Sequence, residues 1–123
     1  EESPGIAEFV ALLDRVRGYL AGEPVTIGEV SSRVEWLPDP GIPPVPINVF
    51  GSGPLNLRAA AENGDLVTMT VGAEPDQVAW GIEQVRSVSP DVPVGALVVA
   101  AVGGKLPALR ELVRASPVPI VRK

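Results

Sequence analysis

Apolar positions along the chain follow two regimes that change over at about residue 45. In the first, Ile6, Phe9, Val10, Leu13, Val16, Tyr19 and Leu20 recur at three- and four-residue steps, the spacing of one helix face. Ser3 and Pro4 precede that run as an N-cap and a first helical position, and Gly22 follows it as a stop. An amphipathic helix is predicted over about residues 4–21, within a first segment 1–22. Next, "EPVTIGEVSSRVEWLPDPGIPP" sets two short β-branched runs around Gly28 and then a proline-dense approach. Residues 23–44 are therefore read as a hairpin-like or irregular insertion.

In the second regime short apolar runs alternate with helical segments. "PVPINVF", "DLVTMTV" and "VPVGALVVAAV" read as strands, and "PLNLRAAAEN", "EPDQVAWGIEQVRSV" and "KLPALRELVRA" as helices. The strands are continuous apolar runs, which predicts that helices cover both of their faces. Three βα units over residues 45–115 imply an α/β fold with a parallel sheet, ending in an irregular tail at 116–123. The whole chain, 1–123, is read as a single domain. Three parallel strands leave two open edges that invite association. Either the first fifty residues cover an edge, or the chain is a piece of something larger.

Composition narrows the chemistry. With 46% hydrophobic and 20% charged residues, the chain is expected to be globular rather than disordered. Its net charge of −5 and scattered basic residues argue against nucleic acid or an anionic membrane as partner. The sequence has no Cys and no His, so disulfides, thiolate nucleophiles, His-based triads and the commonest zinc ligands are excluded, and no metal site is expected. The longest apolar run, Val92 to Val102, is too short to span a bilayer. The chain opens on Glu1-Glu2 without the marks of a signal peptide, so a cytoplasmic location is the default expectation.

The order of several segments resembles the C-terminal half of the luciferase-like monooxygenase superfamily. These are "EFVALLDRVRGYLAGEPVT", "SSRVEWLP" and "VPINVFGSGPLNLRAAAENGDLVTMTVGAEPDQVAWGIEQVR". The nearest likeness is to the branch similar to methylenetetrahydromethanopterin reductase, which uses the deazaflavin coenzyme F420. It lies in Gly22 to Val25, Gly53-Pro54, Ala59 to Glu62, Asp65, and Val71 to Pro75 followed by Trp80 and Ile82. No one of these motifs is specific; their order and spacing, from about Ile6 to Val102, carry the resemblance. It implies the C-terminal part of a (β/α)8 TIM-type barrel, about three parallel strands with helices, preceded by a helix and a short insertion. A complete barrel typically needs about 250 residues, so the resemblance implies an incomplete one. The chain departs from the family pattern at Phe50 and Asn48, where relatives carry smaller or different residues, and in the tail "RASPVPIVRK".

Gly51, Ser52 and Gly53 are the cofactor-binding candidates, because a glycine-bearing turn at the carboxyl end of a parallel strand is where such folds bind ligands. The alternative is a strand-to-helix corner that needs glycine for positive φ. No catalytic residue is assigned. For Glu74 and Pro75 the favoured reading is helix capping; for Asp65, a structural turn at the stability face; for Trp80 and Ile82, core packing; for Trp36, a small local core; for Lys105 and Arg110, exposed helix positions.

The resemblance thus implies a flavin- or deazaflavin-dependent oxidoreductase that moves a hydride between FMN or coenzyme F420 and a small-molecule substrate. The first alternative is a non-catalytic half-barrel that acts as an oligomerising or interaction module. Its partner would be a further copy of the chain or an N-terminal half. A complete, doubly wound nucleotide-binding domain is the weaker alternative, since "GSGP" lacks the longer glycine fingerprint and Asp65 opens the next strand instead of closing it.

Overall fold

A computed structural model describes residues 5–36, 43–103 and 105–114. The expected N-cap at Ser3 and the tail at 116–123 lie outside them. Helix α1 spans Ile6–Leu20 with Gly5 as its N-cap; Glu8 Oε2 accepts the Gly5 N–H at 3.3 Å. Gly22, at φ +71°, ends it as the sequence predicts. The Glu23 N–H reaches the Gly18 carbonyl at 2.9 Å and the Gly22 N–H reaches Tyr19 at 3.1 Å, the paired closure of a left-handed C-terminus.

The first part of the insertion is an antiparallel hairpin, β1 (Val25–Ile27) with β2 (Val30–Ser32), and Ile27 pairs with Val30 across a two-residue loop. Gly28 opens that loop at φ +62°, the sign a two-residue hairpin demands there. The hairpin sits tightly on α1. A Cβ at Gly18 would stand 2.8 Å from Val25 Cγ2, and the Tyr19 and Ser32 hydroxyls share a 2.8 Å hydrogen bond.

The remaining elements are β3 (Asn48–Gly51), α2 (Pro54–Asn63), β4 (Leu66–Met69), α3 (Pro75–Arg86), β5 (Val94–Ala96) and α4 (Leu106–Arg114). The strands form one parallel sheet in the order β3-β4-β5. Successive right-handed crossovers in one direction place their helices on one face, as in a barrel wall, whereas a doubly wound sheet reverses direction. The core agrees: Val49, Val67 and Met69 from the strands pack with Leu57, Ala60 and Ala61 of α2, Val85 of α3 and Leu13 of α1.

Two expectations are corrected here. The strands alternate instead of being buried on both faces: Val49, Gly51, Val67 and Met69 are buried, while Asn48 and Phe50 between them are exposed. Among the described residues helices cover one face only, and the opposite face carries Asn48, Phe50 and Thr68, with Thr68 Oγ1 donating to Asn48 Oδ1 at 3.0 Å. The apolar run 92–102 also supplies only three strand residues, Val94–Ala96. Its partner β4 ends at Met69, whose carbonyl accepts the Leu97 N–H at 2.8 Å, and beyond that point Leu97, Val98, Val99 and Val102 are exposed.

Candidate functional site

Parallel strands bring their carboxyl ends, the following turns and the helix N-termini to one edge of the sheet. At that edge β3 enters α2 through Ser52 and Gly53, and β4 enters α3 through residues 70–74. Thr70 joins the two turns, since its N–H and Oγ1 both donate to the Gly51 carbonyl, at 2.9 and 3.3 Å. Gly72, at φ +88°, lets the second turn bend left-handed. Further along, Arg58 of α2 donates to Gln84 Oε1 of α3 at 2.8 Å and ties the two helices together.

Between these turns lies a cavity of about 440 Å³. Ser52, Gly53 and Pro54 line it from the first turn, Val71 from the second, and Asp76, Gln77 and Trp80 from the start of α3. Asp76 and Trp80 are four residues apart on α3 and so share a helix face.

Two of the three predicted cofactor-binding residues, Ser52 and Gly53, line the cavity. Gly51 does not. It is buried, and a Cβ there would stand 3.3 Å from Leu57 Cδ2 and 3.4 Å from the Asn56 and Leu57 backbone, so it lets α2 close onto β3. The alternative reading, a corner that needs glycine for positive φ, does not hold at Gly53. Its φ of −97° is open to any residue, and a Cβ there would meet nothing within 4 Å.

Glu74 occupies the N-cap of α3 and Pro75 its first turn, but the Glu74 side chain makes no capping hydrogen bond; its carbonyl accepts the Gln77 and Val78 N–H groups, both at 3.0 Å. Asp65 lies at the opposite, amino end of β4. There its Oδ2 accepts the Ile47 N–H at 2.8 Å and its Oδ1 lies 3.5 Å from Arg17 Nη2. Ile82, expected in the core, is 40% exposed because it falls on the outer face of α3. Trp36 is 83% exposed, so no local core forms around it among the described residues. Lys105 and Arg110 are exposed and do not line the cavity. Trp80 combines two environments: it packs against the core and lines the cavity.

Sequence reasoning missed Val71, Asp76, Gln77 and the cavity side of Trp80. Their signal was position: Val71 lies in the turn that leaves β4, and Asp76, Gln77 and Trp80 follow the strand-to-helix proline at Pro75, where the first turn of a helix meets the carboxyl edge of the sheet.

The family model for luciferase-like monooxygenases matches residues 4–118. The chain belongs to that family. No curated protein and no solved structure matches it. The parallel three-stranded sheet with helices is compatible with part of a TIM-type fold. Among the described residues, no helix of this luciferase-like chain is long and apolar enough to cross a membrane.

Members of the family commonly use a flavin or F420 cofactor. The cavity's chemistry suits one part of such a molecule and opposes another. Pro54, Val71 and Trp80 offer apolar and aromatic walls to a flat ring, and Ser52, Asp76 and Gln77 offer hydrogen-bonding groups to its edge. A phosphate finds no Lys or Arg in the lining among the described residues, and it would meet the Asp76 carboxylate.

Proposed function

We propose that this luciferase-like chain is part of a flavin- or deazaflavin-dependent oxidoreductase, and that it supplies the last three βα units of a barrel together with part of the cofactor site. The reading includes a small organic substrate and a cytoplasmic location. Bound FMN or F420 supplies the hydride chemistry; the chain's own residues bind and orient it. Ser52, Gly53, Pro54, Val71 and Trp80, which line the cavity, would hold its ring system and exclude water from it.

The observation that carries this reading is Gly53. Its backbone conformation does not require glycine and no neighbour crowds it, yet it lies on the cavity wall, where a bare backbone leaves room for a ligand. A fluorescence titration with FMN and with F420, with light scattering to report mass, tests the proposal. Saturable binding that is lost in Gly53→Leu, at an unchanged urea midpoint, supports it. No saturable binding of either cofactor sinks it.

The runner-up is an association module built on further copies or on an N-terminal half. It is favoured by the sheet face that the described residues leave open, where Phe50 is 57% exposed, and by the exposed Leu97 to Val99 run. A defined assembly in the same scattering measurement, without cofactor binding, selects it.

A further inference from the structure

We infer that the cavity takes the uncharged ring of the cofactor, gripped at its imide edge, and not the cofactor's phosphate. This rests on the reading above, and it concerns which part of the molecule enters. Flavins and deazaflavins share a ring edge of carbonyl, N–H and carbonyl. Binding such an edge requires one strong acceptor flanked by donors, against an apolar wall for the ring faces. The first turn of α3 supplies that set in a short span: the Asp76 carboxylate accepts, the Gln77 amide donates, and Trp80, one turn on and on the Asp76 side, gives an aromatic wall. The Ser52 hydroxyl across the cavity can donate to a second carbonyl.

The usual attraction of helix N-termini for phosphate acts here against a fixed opposing charge. Asp76 lines the cavity, and the guanidinium on the neighbouring face of α2, Arg58, is engaged by Gln84 at 2.8 Å. A dianionic phosphate in this cavity would lie beside a carboxylate with no cation in the described lining to offset it. A neutral imide meets no such repulsion.

The two placements give opposite signs for one substitution. If Asp76 accepts the ring N–H, Asp76→Asn weakens FMN binding by about tenfold, the worth of one charge-assisted hydrogen bond. If the phosphate occupies the cavity, the same substitution removes a repulsion and tightens FMN. Dissociation constants are measured by fluorescence quenching for FMN and for riboflavin, which has the ring without the phosphate, on the wild-type chain and on Asp76→Asn. Inorganic phosphate serves as competitor. The inference expects riboflavin to bind about as tightly as FMN, phosphate not to compete, and Asp76→Asn to weaken both ligands. Tighter FMN binding by Asp76→Asn, or displacement of FMN by inorganic phosphate, overturns the ring placement and leaves the cofactor reading standing. Failure of FMN, riboflavin and F420 alike to bind the wild-type chain overturns the two together; where F420 alone binds, the same Asp76→Asn and phosphate-competition comparison is read on F420.

Discussion

Gly81 of α3 lies directly against Met69 of β4: a Cβ added to Gly81 would stand 2.7 Å from the Met69 sulfur. Met69 is 1% exposed, at the centre of the core. The missing side chain lets α3 approach the sheet closely and brings Trp80, the preceding residue, to both the core and the cavity. Two effects compete in Gly81→Ala. Alanine gains about 1 kcal/mol of helix propensity over glycine, while overpacking a filled core costs about 1–3 kcal/mol. Because Met69 is fully enclosed, overpacking is expected to win, with a net loss of about 1 kcal/mol. Urea melts of Gly81→Ala, Met69→Ala and the double variant check this. Once the sulfur is gone, Gly81→Ala should become neutral or stabilising, a coupling that non-contacting sites do not show.

Gly64 ends α2 in an extended conformation that any residue adopts, so its requirement is steric. A Cβ there would lie 2.7 Å from the Ala60 carbonyl oxygen, 3.0 Å from Val49 Cγ2 and 3.1 Å from the Leu66 carbonyl oxygen. Backbone atoms yield less readily than a methionine tip. Gly64→Ala is expected to destabilise the chain by about 3 kcal/mol, at the upper end of overpacking costs. A urea midpoint unchanged from wild type would contradict the close packing of α2 on β3 and β4.

Asp65 joins three segments at the amino edge of the sheet. Its carboxylate receives the Ile47 N–H at 2.8 Å, and Arg17 lies 3.5 Å away while also donating to the Asn63 carbonyl at 2.6 Å. The Arg17 and Asp65 side chains are 40% and 47% exposed, so the ion pair itself contributes little and the backbone hydrogen bond contributes more. Asp65→Ala should cost about 1 kcal/mol and Asp65→Asn, which keeps an acceptor oxygen, less than half of that. A difference that disappears in 1 M salt would instead assign the effect to the charge.

The alternation of strands and helices after Val45 was legible because proline and glycine mark nearly every junction, as at Gly53-Pro54 and Glu74-Pro75. The length of β5 was not. Apolar content marks Val92 to Val102 as wanting burial, but a strand extends only as far as its neighbour pairs, and β4 stops at Met69. The sidedness of the sheet was misread for a related reason: Ile47, Val49 and Phe50 made "INVFG" read as one apolar run despite Asn48, while the pleat sends Val49 to the helices and Asn48 and Phe50 away from them. At the site, the glycine turn was visible as a motif. Asp76 and Gln77 were not, because ordinary polar residues on a helix become a site only through the turn that faces them.

The same sidedness yields a last prediction, on adjacent residues of one strand. Val49 is 5% exposed under the helices, and Phe50, next to it, is 57% exposed on the open face. Val49→Ala should lower stability by about 2 kcal/mol through lost burial. Phe50→Ala, though it removes the larger side chain, should change the urea midpoint of the monomer by less than about 0.5 kcal/mol, as at other exposed positions. A concentration series separates the remaining cases. If wild-type stability rises with protein concentration while that of Phe50→Ala does not, the open face is covered by association, because a partner that binds only the folded state stabilises it by mass action. If Phe50→Ala costs as much as Val49→Ala in dilute solution, the face is covered within the monomer, and the sheet is not one-sided.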